Sequence, residues 1–250
     1  MTKYYLIPPH LYDDQFWWKK DDIEFWKTKL LHNPKAPILE LAAGTGRIGF
    51  PLIRESSNYT GLELSEQYVD YANKKISFLS SGSKFIQGDM RDFNLNKFYK
   101  CIFIGFNSFL HLLSEYDAIR CLESIKKHMN ADSILYLDLF VPNTNFLYRA
   151  NKEKTNILTF QDSILKKSVD IIETLEYDFD NEVMAVKWNY LSSQKLVYPT
   201  FNFKMKLYYP DSMHKILDLC GLSIRNMWGS YDHQSFSELS DLQLYECVLK

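Results

Sequence analysis

The sequence predicts an α/β protein built on a doubly wound, mostly parallel sheet. Three observations carry that expectation. Apolar strand-like runs alternate with segments of helical length, and a glycine-rich turn follows the first run directly. An acidic residue closes each of the first three runs: Glu40 in PILELAAGTGR, Glu63 in YTGLEL and Asp89 in FIQGDM.

Taken in order, Phe16, Ile23, Trp26 and Leu30 recur at roughly helical spacing, which predicts one leading helix over about 12–31, stopped by Pro34 and Pro37. Strand 37–42, helix 46–55, strand 58–64 and helix 66–79 come next. They are followed by strands 84–88 and 100–105, helix 115–130 and strand 132–141. Helices between strands demand right-handed crossovers and a parallel sheet. Ser65 is a suitable cap for the second of these helices. After Pro142 the rhythm changes to β-rich runs, clearest where Phe201, Phe203, Met205 and Leu207 alternate with Asn202, Lys204 and Lys206. This predicts an antiparallel insert after the fifth strand. A helix at 211–219 and strands at 222–230 and 241–249 then return to the main sheet, bringing it to seven strands. The expected domains are therefore 1–141 with 209–250 as the binding domain with its leading helix, and 142–208 as a β insert that forms an acceptor lid or a subunit contact.

The 250 residues include 29 basic and 31 acidic ones, for a formal charge of -2. That balance gives no field to gather a nucleic-acid backbone, so no nucleic-acid partner is expected. No apolar run reaches the roughly 18 residues of a bilayer span, and the start lacks a cationic-then-apolar leader, so no membrane partner and no secretion are expected either. Cys101, Cys121, Cys220 and Cys247 stand far apart, as do the six histidines. This argues against a metal site and fits reduced thiols in a cytoplasmic protein. The aromatic insert could pair across a twofold axis, making a homodimer possible.

Gly44 and Gly46 fall where a strand ends and a helix begins, a place where bare backbone can approach a ligand. With Gly49 they complete a formal G-x-G-x-x-G, so an NAD(P)-dependent oxidoreductase is a competing reading. Glu40 opposes it, because a carboxylate inside the strand repels phosphates but accepts hydrogen bonds from an ammonium group. Glu63 suits both ribose hydroxyls in either reading, and Asp89 can accept from an exocyclic adenine amine. For Gly49, helix–sheet packing is the favoured role.

These residues, with FIGFNSFLHLL at 103–113, resemble the class I S-adenosylmethionine-dependent methyltransferases over about residues 12–141. Glu40, Leu41, Ala42, Gly44 and Gly46 match that family's first motif, with Arg47 beside them, and the resemblance implies contacts to the methionine part of S-adenosylmethionine. Glu63 and Leu64 match the ribose and adenine position, and Asp89 and Met90 the adenine motif. Phe106, Asn107 and Ser108 match the motif that lines cofactor and substrate, while Tyr12 stands where the family covers methionine. Where the family has glycine, this chain has Ala42. The resemblance implies a Rossmann-like methyltransferase fold and in-line transfer of a methyl group to a small-molecule acceptor. The leading helix, the insert and GSYD at 229–232 are similar to those of sugar-amine and glycine N-methyltransferases, which leans the acceptor towards an amine. His111 is the candidate base. A non-catalytic cofactor-binding protein of the same fold is the remaining alternative.

Overall fold

The computed structural model describes residues 7–56, 58–79, 82–142 and 153–250. They form two compact units, one drawn from within residues 1–19 and 142–207, the other from 20–141 and 208–250.

The larger unit begins with α2 (Asp21–Leu30) and alternates β1 (Ile38–Leu41), α3 (Gly49–Ile53), β2 (Tyr59–Glu63), α4 (Glu66–Ile76) and β3 (Lys84–Gln87). β4 (Cys101–Ile104), a 3-10 turn at Ser108–His111, α5 (Glu115–Lys126) and β5 (Ile134–Phe140) follow, and α6 (Pro210–Leu219), β11 (Leu222–Trp228) and β12 (Leu242–Leu249) complete it. Strands β1, β2 and β4 are buried at every position, as continuous apolar runs sandwiched between helices must be. Ser65 caps α4 through its hydroxyl, which accepts from the Tyr68 N–H at 3.3 Å, and Ser114 caps α5 in the same way from Asp117.

The seven strands lie in the order β11-β12-β5-β4-β1-β2-β3. β1 to β5 are mutually parallel, whereas β12 runs antiparallel to both β5 and β11. The expected doubly wound, mostly parallel sheet is the one observed. Its order reverses between β1 and β4, and the carboxyl ends flanking that point are where such sheets bind ligands. Trp26 of α2 is fully buried against Phe103 of β4 with ring centroids 4.9 Å apart, fixing the helix over this part of the sheet.

The smaller unit contains α1 (Pro9–Gln15) and strands β6 (Thr155–Asp162), β7 (Lys167–Asp178), β8 (Val183–Ser192), β9 (Lys195–Leu196) and β10 (Phe201–Lys206). Its antiparallel sheet runs β10-β8-β7-β6, with β9 beside β8. Ile7, Leu11, Phe160, Val169, Ile171 and Tyr190 form its core, each side chain stabilising the unit by about 1.5–3 kcal/mol. Trp188 and Phe201 pack against that core, and Trp188 meets Phe203 edge-on at 5.0 Å, a sheet-packing role for these aromatics.

One element departs from expectation. The leading segment is two helices, α1 and α2, rather than one over 12–31, and they belong to different units. Pro9 sits in the first turn of α1, where its missing N–H and fixed φ cost nothing, and Asp21, Asp22 and Glu24 crowd the first turn of α2, where the helix dipole favours negative charge.

Candidate functional site

The turn after β1 is built from left-handed residues: Ala42 has φ 55°, Gly44 57° and Gly46 81°. At Gly44 an added Cβ would meet nothing within 4 Å, so its open face borders space. At Gly46 a Cβ would press on the Phe85 ring at 2.9 Å, making this glycine a packing requirement as well as a turn. Ala42 takes its positive φ without glycine's freedom, at a cost of roughly 1–2 kcal/mol.

Glu40 is buried at the end of β1, beside the switch point, and Tyr59 donates its hydroxyl hydrogen bond to Oε2. Burial pushes the Glu40 carboxyl up to about 8, against the Tyr59 hydrogen bond and the positive charge of Arg47. Gly49 is what admits Tyr59, since a Cβ there would collide with the phenol oxygen. Its role is therefore packing. Arg47 forks Asp22 of α2 with contacts of 3.0 and 2.6 Å, and its guanidinium lies 4.5 Å from the centre of the Phe106 ring.

Glu63 ends β2, the neighbour of β1. Its Oε2 accepts from the Gly44 N–H at 2.9 Å and its Oε1 from the Ser65 N–H at 2.8 Å. Burial raises its pKa against those backbone hydrogen bonds. The structure thus ties Glu63 to the glycine turn, and Glu63 and Glu40 feel each other electrostatically. Leu41 is buried beneath the turn, whereas Leu64 is 54% exposed, an apolar side chain held open at the strand edge. Asp89 follows β3, the next strand out, and Arg91 engages its carboxylate through Nε and Nη2, lowering the Asp89 pKa. Met90 is half-buried beside it.

Beyond β4 the chain turns through Phe106 and Asn107, both with positive φ, of 51° and 62°. The end of β5 clamps this turn. Asp138 Oδ2 accepts from the Phe106 N–H at 2.8 Å, the Asp138 carbonyl accepts from the Asn107 N–H at 3.1 Å, and Asn107 Oδ1 accepts from the Phe140 N–H at 2.7 Å. Ser108 starts the 3-10 turn that carries His111, whose side chain is exposed. Tyr12 lies in α1 of the smaller unit, packed on that unit's core and 4.8 Å from the Phe16 ring. The larger unit therefore gathers Glu40, Gly44, Gly46, Arg47, Glu63 and Phe106 around the switch point, with Asp89 one strand further out.

The sequence reading passed over Tyr59, Asp22, Asp138 and Arg91. Asp138 carried a legible signal, a charge in the middle of the apolar strand ILYLDLF. The others are defined by strand register and helix placement, which pattern alone does not supply.

The residues fit an adenosyl ligand with an amino-acid arm. Gly44 leaves room for backbone approach, and the Glu63 carboxylate, oriented by the Gly44 and Ser65 N–H groups, is an acceptor suited to hydroxyl donors. Leu64 offers an apolar platform beside them.

Residues 38–132, about two-fifths of the chain, match the family model described as a methyltransferase domain. Among curated proteins it is 31% identical over 106 residues to the provisionally named methyltransferase YqeM of Bacillus subtilis, a stretch covering 42% of each chain. It is 29% identical over 108 residues to a dTDP-3-amino-3,6-dideoxy-alpha-D-glucopyranose N,N-dimethyltransferase of Streptomyces fradiae, covering 43% of this chain and 41% of that one. The chain thus spans about two-fifths of the length of these relatives. Among solved structures, an S-adenosylmethionine-dependent methyltransferase of Clostridium acetobutylicum superposes with a TM-score of 0.78 over 96% of both chains at 15% identity, which establishes the fold. Among the described residues no helix is long and apolar enough to cross a membrane.

Proposed function

We propose that the protein transfers a methyl group from S-adenosylmethionine to the nitrogen of a small-molecule amine, a sugar amine first among them. The observation that carries this reading is the arrangement at the switch point: buried Glu40, open-faced Gly44 and turn-bound Glu63 on two adjacent parallel strands. The Streptomyces fradiae relative, named for an amino-sugar substrate, supports the choice of an amine.

When bound, S-adenosylmethionine supplies an electrophilic methyl group for in-line displacement by the acceptor nitrogen. Glu40 would answer the ammonium of the methionine arm, Glu63 the ribose hydroxyls and Asp89 the adenine amine, and Leu64 and Met90 would offer apolar surface to the base. The turn at 106–108 would line the side of the reacting methyl group. An amine acceptor needs only to lose a proton, which exposed His111 or solvent accepts. Holding donor and acceptor at about 3–3.5 Å in a water-poor site provides much of the acceleration. A nicotinamide cofactor is disfavoured by the same Glu40: a cationic arm would favour the ionised carboxylate that binds it, whereas a pyrophosphate would push its already raised pKa higher.

Isothermal calorimetry with S-adenosylmethionine and S-adenosylhomocysteine tests this, followed by turnover on a panel of amino-sugar nucleotides. Glu63→Ala is expected to weaken both ligands by about 10–100-fold, the worth of charge-assisted hydrogen bonds. Absence of heat from the wild type at millimolar ligand rejects the reading.

A further inference from the structure

Phe106 and Asn107 are two consecutive non-glycine residues in the left-handed region, with φ 51° and 62°. Asparagine tolerates this conformation and phenylalanine does not, so the turn persists only because its surroundings over-determine it. The clamp is Asp138, fully buried in β5, whose Oδ2 accepts from the Phe106 N–H at 2.8 Å. The same oxygen accepts a second hydrogen bond, from the hydroxyl of Tyr231 at 2.9 Å. Tyr231 lies in the connection between β11 and β12, far from the turn in sequence. Its ring meets Phe25 of α2 edge-on at 5.7 Å, and Phe25 also contacts Trp228 and stacks with His233, so three residues of that connection and its entry strand are anchored on one helix. Burial and the neighbouring carboxylates of Asp138 and Asp22 keep the Tyr231 hydroxyl protonated, hence a permanent donor. At the other end of the chain of contacts, the Phe106 ring carries the guanidinium of Arg47, itself forked on Asp22.

We propose that Tyr231 is a positioning residue: its hydroxyl fixes the Asp138 carboxylate, which holds the strained Phe106–Asn107 turn in the shape that receives the cofactor. This rests on the methyltransferase reading above. A carboxylate oxygen that loses one of two fixed donors is freer to rotate, and its grip on the Phe106 N–H loosens. The turn then relaxes towards ordinary φ values, moving the Phe106 ring and Arg47 together. A purely structural tyrosine would stabilise the β11–β12 connection through its ring alone, so the hydroxyl separates the two roles.

The test compares wild type, Tyr231→Phe, Asp138→Asn and the double variant. Calorimetry with S-adenosylhomocysteine is expected to show about tenfold weaker binding for Tyr231→Phe, with the double variant no worse than Asp138→Asn alone because the two act in series. The melting temperature of Tyr231→Phe is expected to fall by no more than about 2–4 °C, the shift given by one lost hydrogen bond. Hydrogen exchange without ligand gives a second readout: the Phe106 amide is protected in the wild type and exchanges about tenfold faster in Tyr231→Phe, since local opening governs exchange. Binding by Tyr231→Phe equal to wild type overturns this proposal and leaves the methyltransferase reading standing. A wild type that binds no S-adenosylhomocysteine overturns both. Should the variants not fold, rapid exchange of the Phe106 amide in the wild type is enough to overturn the clamp.

Discussion

Glu40 carries the clearest pH signature in the larger unit. Burial lifts its carboxyl from an ordinary 4.5 to about 8, so the fold favours the protonated form. The stability associated with that proton is whole below the ordinary value and is lost as pH rises through the folded one, a window of about pH 4.5 to 8. Glu40→Gln, uncharged throughout, is expected to flatten the decline of unfolding free energy across that window in urea titrations. A slope unchanged from wild type contradicts the buried placement. Ala42 supports a different prediction. Its left-handed φ of 55° is strained, so Ala42→Gly relieves roughly 1–2 kcal/mol in the folded turn and gives back part of that through the freer unfolded chain. A net gain of about 0.5–1 kcal/mol by denaturant unfolding is expected, and a loss would show the turn to be unstrained. At this scale the sequence was legible where chemistry is local. Glu40, Gly44 and Glu63 could be picked out by their places at strand ends, but Tyr59 could not, because its contact with Glu40 depends on the register of β1 against β2 and on the missing side chain of Gly49.

Among elements, the helix caps show sequence and structure in closest agreement. Ser65 was identifiable from its position ahead of a helical run, and its hydroxyl does accept from Tyr68. Ser65→Ala is expected to cost about 1 kcal/mol, read from chemical denaturation, with ligand affinity following only through the neighbouring Ser65 N–H on Glu63. The leading segment shows the opposite. A single periodicity through Phe16, Ile23, Trp26 and Leu30 read as one helix, yet the chain breaks between Gln15 and Asp21. The start signals were present, Pro9 for one helix and the acidic cluster at 21–24 for the next. Apolar spacing outvoted them because a short break preserves helical phase. The insert was legible as antiparallel from strict alternation, although the pairing of β10 with β8, Phe201 opposite Trp188, required the structure.

For the molecule as a whole, the order of strands in space differs from their order in sequence, and that difference was foreseeable only as a fold class. β12 lies between β5 and β11, antiparallel to each, although the entire insert and α6 intervene between β5 and β12 in the chain. Leu244, Tyr245 and Cys247 of β12 are all buried. Ending the chain after Gly221 is therefore expected to drive the product into the insoluble fraction on centrifugation, and a soluble, ligand-binding product would contradict this. The same arrangement bears on biosynthesis. While residues 142–241 are still being translated, β5 presents an unpaired, almost wholly apolar border to its surroundings, and such borders recruit foreign strands. The nascent chain should lean on holdase chaperones during that interval, and the release from them should coincide with the moment β12 docks.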